Sequence, residues 1–185
     1  MALAGALSSV AGAMPPQTGS ATAYTYTLDA GGGWIRTQDA YLTGEVLFMG
    51  SPLNRPEDIA VRDGMLYASG TGAGRILRYD LATGETAELG AGILQSPTGV
   101  FVTEEGDVYV ADPDKAAVFQ LSPGGELLRE YGRPQTSTFG EGSIYKPRKV
   151  AVDENGILSI VSDGAYDGIV QLSPDGEFLG YFGYN

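Results

Sequence analysis

Hydrophobic positions between Pro97 and Gly132 fall into four short runs, Gly99 to Val102, Val108 to Ala111, Val118 to Leu121 and Leu127 to Tyr131, and each break between them carries Gly, Pro or Asp. This pattern predicts a four-stranded antiparallel meander. The stretch from Pro147 repeats it, with Gln171-Leu172-Ser173-Pro174-Asp175-Gly176-Glu177 matching Gln120-Leu121-Ser122-Pro123-Gly124-Gly125-Glu126 at all but one position. A weaker copy opens at Pro56, with runs Asp58 to Val61, Met65 to Ser69, Ile76 to Tyr79 and Glu85 to Leu89. The three prolines stand about 40–50 residues apart, the period of propeller blades.

The turns repeat with the strands. The first hairpin of each unit closes on Asp63-Gly64, Glu105-Gly106 or Asn155-Gly156, where glycine supplies the positive φ of a tight turn. The third connection is Thr83-Gly84, then Ser122-Pro123-Gly124-Gly125, then Ser173-Pro174-Asp175-Gly176. Both alternate faces of Val108 to Ala111 and of Ile157 to Val161 are largely apolar, whereas a sheet with one wet face alternates cleanly. Sheets are therefore expected to stack on sheets. Glu85 to Leu89 is more polar, as an outer edge strand should be.

The order of a proline, an apolar run, an acidic-Gly turn, Val108-Tyr109-Val110-Ala111-Asp112, a further strand, a Pro-Asp-Gly-type turn and an aromatic-Gly ending resembles the NHL repeat, a blade of six-bladed TolB-like β-propellers. Asp112 and Arg75 keep two polar positions of that repeat, and Ser162-Asp163-Gly164 departs from it. The resemblance covers about Pro52 to Gly183 and implies an all-β fold of three four-stranded NHL-type blades, a partial propeller. The blades are expected at 52–92, 93–133 and 143–183 within a domain 52–185, with a loop insert at 134–142. The arrangement is similar to exported NHL-repeat proteins of Gram-positive bacteria. Three blades do not close a six-bladed ring. The chain is read as a segment of a longer propeller, as half of a homodimeric ring, or as a curved stack capped by its leader.

Residues 1–23 carry no charge and end in Ala21-Thr22-Ala23, the small-x-small form of a signal-peptidase site. An export signal, and with it a secreted or cell-surface location, is the expectation; a plain N-terminal tail is the alternative. The apolar run is too short to span a bilayer. Residues 24–51 form a leader rich in aromatic residues and glycine, expected to pack on the blades. It holds Gly31-Gly32-Gly33 and the single tryptophan, Trp34.

Charge and missing residue types narrow the chemistry. With 23 acidic against 11 basic residues the chain carries a net charge of −12, which argues against nucleic acid as a partner. The absence of cysteine and histidine excludes disulfides, thiolate and imidazole metal sites, and a Ser-His-Asp triad. No Ser, Lys or Tyr has the context of an activated nucleophile.

Four groups of candidate residues remain. Glu57 and Asp58 stand at the start of the first unit's inner strand, where lactonase propellers similar to this family hold a channel-mouth metal, although the surrounding motif differs. Lys146, Arg148 and Lys149 form the one dense basic group, either an anion-binding channel mouth or a solvated collar. Trp34, Tyr41 and the insert's Phe139 are candidate contacts for a glycan or partner, with core packing as the alternative. Asp112, Asp114, Asp163 and Asp167 offer oxygen ligands for Ca²⁺ without the spacing of an EF-hand, and turn capping is their alternative role. The leading functional expectation is a non-catalytic module binding protein or carbohydrate, with no cofactor. A calcium-dependent lactonase-, hydrolase- or lyase-like enzyme using channel carboxylates is the alternative; a structural segment whose site lies in other blades is the third.

Overall fold

The computed structural model describes residues 25–37, 47–48, 53–165 and 167–183. The segment 1–23 and Tyr41 lie outside the described residues. The chain divides into two units, Met1–Met49 and Gly50–Asn185.

In the first unit, β1 (Thr25–Leu28) pairs antiparallel with β2 (Trp34–Thr37), so Leu28 faces Trp34. The Gly-rich stretch between them is a turn capped by Asp29, whose Oδ1 accepts the N–H groups of Gly31 and Gly33 at 2.8 and 2.7 Å.

The second unit is three four-stranded antiparallel meanders. Blade one is β3 (Pro56–Arg62), β4 (Met65–Gly70), β5 (Arg75–Asp80) and β6 (Thr86–Leu89), and a single 3₁₀ turn, Thr71–Ala73, links β4 to β5. Blade two is β7 (Gly99–Val102), β8 (Val108–Asp112), β9 (Ala117–Leu121) and β10 (Leu127–Tyr131). Blade three is β11 (Lys146–Val152), β12 (Leu158–Asp163), β13 (Ile169–Leu172) and β14 (Phe178–Phe182). In every sheet each strand pairs only with its neighbours in sequence. This is a partial β-propeller, as the repeats predict.

Two apolar cores hold the blades together. Tyr67, Ile76 and Leu89 of blade one meet Val100, Val102, Val108, Val110 and Phe119 of blade two. Tyr109, Ala111 and Val118, on the opposite side of blade two, meet Val150, Leu158, Ile160 and Val170 of blade three. All five residues of β8 are buried, because its alternate faces look into different cores. Each such valine, leucine or isoleucine contributes about 1.5–3 kcal/mol.

The registers within the three sheets give Ile59, Val100 and Val150 equivalent places on their inner strands, and likewise Val61 and Val102. Val100 and Val102 are 6% and 4% exposed against blade one, whereas Ile59 and Val61 are 66% and 60% exposed. The open strip is narrow, since Leu66, Ala68 and Leu77 farther out on that side are buried.

The turns take the predicted geometry. Gly64, Gly106 and Gly156 have φ of 77°, 90° and 77°. The third connections are capped: Ser122 Oγ accepts Glu126 N–H at 3.1 Å and Ser173 Oγ accepts Glu177 N–H at 3.0 Å. Asp80 does the same in blade one, and hydrogen bonds from the Thr83 and Ala82 backbones hold its carboxyl below the ordinary 3.8.

Candidate functional site

Two ends of the inner strands concentrate polar groups. At their starts, β3 and β11 each carry a bulge, between Pro56 and Ile59 and between Pro147 and Lys149. A buried serine on the neighbouring strand accepts the displaced N–H groups: Ser69 Oγ takes those of Glu57 and Asp58 at 3.3 and 2.8 Å, and Ser162 Oγ takes that of Lys146 at 2.8 Å. β7 has no bulge, and in the repeat Gly99 occupies the place of Asp58 and Lys149. A Cβ on Gly99 would meet Arg148 O at 2.5 Å and Lys149 Cα at 2.9 Å. Glycine therefore lets β11 close on β7.

Across that gap Lys149 Nζ reaches Asp58 Oδ1 at 2.8 Å, tying blade three to blade one. Asp58 Oδ2 also accepts Val100 N–H of blade two at 3.0 Å, so one carboxylate holds all three inner strands. Lys149 Nζ further donates to Glu57 O at 3.3 Å, and Arg148 Nε to Asp163 Oδ2 at 2.7 Å. Glu57 faces Arg55 at 3.9 Å. The structure thus brings Glu57, Asp58, Arg148 and Lys149 together, with the cations paired to carboxylates of the chain itself.

At the other end of the inner strands the hairpin tips surround a cleft of about 460 Å³. Glu104, Glu105 and Asp107 come from the β7–β8 hairpin, Asp153 and Glu154 from β11–β12, and Arg62 from the end of β3. Phe101, Tyr109 and Val152 line it between the second and third blades. Its floor is braced: Gln120 Nε2 donates to Asp107 Oδ2 at 2.8 Å, and the Tyr131 hydroxyl lies 3.2 Å from both Gln120 Oε1 and Pro174 O. Burial first, and then the neighbouring Tyr131, pushes the Tyr109 hydroxyl to a higher pKa, so it stays neutral. Five carboxylates, the Arg62 guanidinium and two aromatic rings thus line one cleft.

The four aspartates do not gather around a cation. Asp112 is fully buried; its Oδ2 accepts the N–H groups of Gln95 and Ser96 at 2.6 and 3.0 Å, and its Oδ1 that of Lys115 at 3.2 Å. It caps the loop between blades one and two. Asp114 Oδ2 accepts Ser96 Oγ–H at 2.6 Å, and Asp163 pairs with Arg148. Among the described residues no three acidic side chains share a metal-sized site.

Phe139 is not on the surface. It is 2% exposed and packs edge-on against Tyr145 and Phe178, with ring centroids 5.9 and 5.4 Å away, because the insert folds inward over it. Arg133 organises that insert by donating to the backbone oxygens of Pro134, Gly140, Glu141 and Ser143 while lying over the Phe139 ring. Trp34 is 39% exposed on β2.

The residues that sequence reasoning missed are the acids of the cleft. They sit in turns whose glycines drew attention as turn formers. The available signal was that successive copies place acidic pairs on the same hairpin, and stacked copies set those hairpins side by side.

Fold and sites together define an arc of a β-propeller. Residues 42–79 match the family model described as strictosidine synthase-like, N-terminal. No curated protein matches the chain. Among solved structures it is similar to a streptogramin B lyase, at 20% identity and a TM-score of 0.56 over 72% of this chain and 42% of that one. It is also similar to virginiamycin B lyase from Staphylococcus aureus, at 15% identity and 0.53 over 84% and 47%. A putative gluconolactonase aligns at 23% identity and 0.52 over 83% and 53%. The fold is thus a β-propeller. The chain spans about half the length of these structures, which are lyases and a putative lactonase. Among the described residues no helix is long and apolar enough to cross a membrane.

Proposed function

We propose that this chain is an exported, non-catalytic binding module whose hairpin-end cleft takes a cationic group of a protein partner, a lysine or arginine side chain set over Phe101 and Tyr109. The observation that carries this reading is the cleft itself: about 460 Å³, edged by carboxylates from two blades. That volume lies within the range of small-ligand sites. The net charge of −12 favours the approach of a basic partner and makes its association salt-dependent. Export rests on the uncharged segment 1–23.

Calorimetric titration with an arginine-rich peptide at low and at physiological salt is the test. Binding that weakens with salt, and that falls at least about tenfold in Glu105→Lys/Asp153→Lys, is the expected result; about 1.4 kcal/mol corresponds to each factor of ten. A neutral oligosaccharide that binds equally well to both forms would replace the cation reading with a glycan one.

The enzymes among the structural neighbours favour a second reading, a metal-dependent propeller enzyme. The described carboxylates leave its metal without three donors, so that reading draws its ligands from elsewhere in a ring. Stoichiometric calcium by elemental analysis, together with a lower Tm in chelator, would establish it over the first.

A further inference from the structure

The hairpin joining β11 to β12 closes on Asn155-Gly156. Gly156 cannot readily be replaced: its φ is +77°, and a Cβ there would meet Pro174 Cγ at 3.0 Å. Whatever stands at 155 is therefore followed by the one residue with no side chain to shield its backbone nitrogen. Asn155 is exposed, and among the described residues its side-chain amide has no hydrogen-bond partner; only its backbone N–H is held, by Asp153 Oδ1 at 2.9 Å. The corresponding turns carry Glu105-Gly106 and Asp63-Gly64. A carboxylate before this glycine is thus already compatible with the fold.

We propose that Asn155-Gly156 is a site of spontaneous deamidation, which adds a carboxylate to the edge of the cleft. The Gly156 nitrogen, on losing its proton, attacks Asn155 Cγ. A bond forms between them, the bond from Cγ to the amide nitrogen breaks, and ammonia leaves with a proton, giving a five-membered cyclic imide. Water then opens the ring. Cleavage at Cγ yields aspartate on an unchanged backbone, and cleavage at the Asn155 backbone carbonyl yields isoaspartate, with the chain routed through the side chain. Asparagine and water become aspartate and ammonia, and nothing is oxidised or reduced.

The hairpin itself acts as the brake. Gly156 N–H donates to Asp153 O at 3.0 Å and Ile157 N–H to Asp153 Oδ1 at 2.8 Å. Attack requires these bonds to open, so the rate follows local opening of the turn rather than global unfolding. The aspartate product keeps the turn, whereas isoaspartate lengthens the backbone beside Ile157 and displaces its N–H. The effect on cation affinity rests on the function proposed above; the deamidation does not.

The full chain, incubated warm at mildly alkaline pH, is followed by peptide mapping with mass spectrometry and by ion exchange. The peptide containing residue 155 is expected to gain the mass difference between an amide NH₂ and a hydroxyl. It should split into two species, one of them matching the Asn155→Asp chain. Asp153→Ala should convert several-fold faster. Asparagine that stays intact in the native chain for as long as the denatured chain takes to convert completely would overturn the proposal. Titrating the Asn155→Asp chain with the arginine-rich peptide separates the two claims. Deamidation with unchanged affinity counts against the cation site alone.

Discussion

Tyr145 precedes β11 with its ring in the blade two–blade three core, and among the described residues its hydroxyl has no hydrogen-bond partner. A buried hydroxyl without a partner costs its desolvation. Tyr145→Phe removes that group and keeps the ring contact with Phe139, so it should stabilise the fold by about 1 kcal/mol, raising Tm by about 2–4 °C in a thermal melt. Burial also pushes the hydroxyl above its ordinary pKa of 10.0. The stability this represents is complete below pH 10.0 and is lost as pH rises toward the elevated folded value, so the alkaline fall in stability should be shallower in Tyr145→Phe. Residue roles of this kind were unevenly legible in sequence. Turn glycines such as Gly106 and Gly156 declare themselves, because few other residues take their φ. The inward turn of Phe139 did not, since it depends on Arg133 gathering four carbonyls of the insert.

At the scale of strands, Gly99 decides how closely blades two and three approach. Gly99→Ala places a methyl against Arg148 O and should destabilise the fold by about 1–3 kcal/mol. The same shift moves Lys149 away from Asp58. Chemical denaturation would read the loss, and the Asp58–Lys149 coupling in a double-mutant cycle should shrink in the Gly99→Ala background. Strand positions followed from apolar runs and turn chemistry alone, within a residue or two: Val108 to Ala111 in sequence is Val108–Asp112 in the sheet. The bulges of β3 and β11 were not visible, because they depend on Ser69 and Ser162 from neighbouring strands. Nor was the equivalence of Asp58, Gly99 and Lys149 drawn on, although the repeat alignment contains it.

For the molecule as a whole, the exposed strip of Ile59 and Val61 and the exposed Val161, Leu179 and Phe182 of blade three bear on association. A second copy joining these flanks would continue the stacking seen between blades. Because the strip is narrow, the expected result is a concentration-dependent dimer in light scattering across a dilution series; a monomer at every concentration would leave the flanks to further blades. The overall architecture was legible because the repeat is local. The cleft was not, because its acids come from hairpins about 50 residues apart and meet only once the blades stack.

Sheets in which each strand pairs only with its sequence neighbours also respond distinctively to mechanical load. Pulled from its two ends, such a chain has no strand shared between sheets to resist as a clamp, so each meander can peel away as its own unit. The force–extension trace should be a series of separate low peaks. The contacts of Lys149 with Asp58 and with Glu57 O, which bridge blades one and three, should mark the earliest of them.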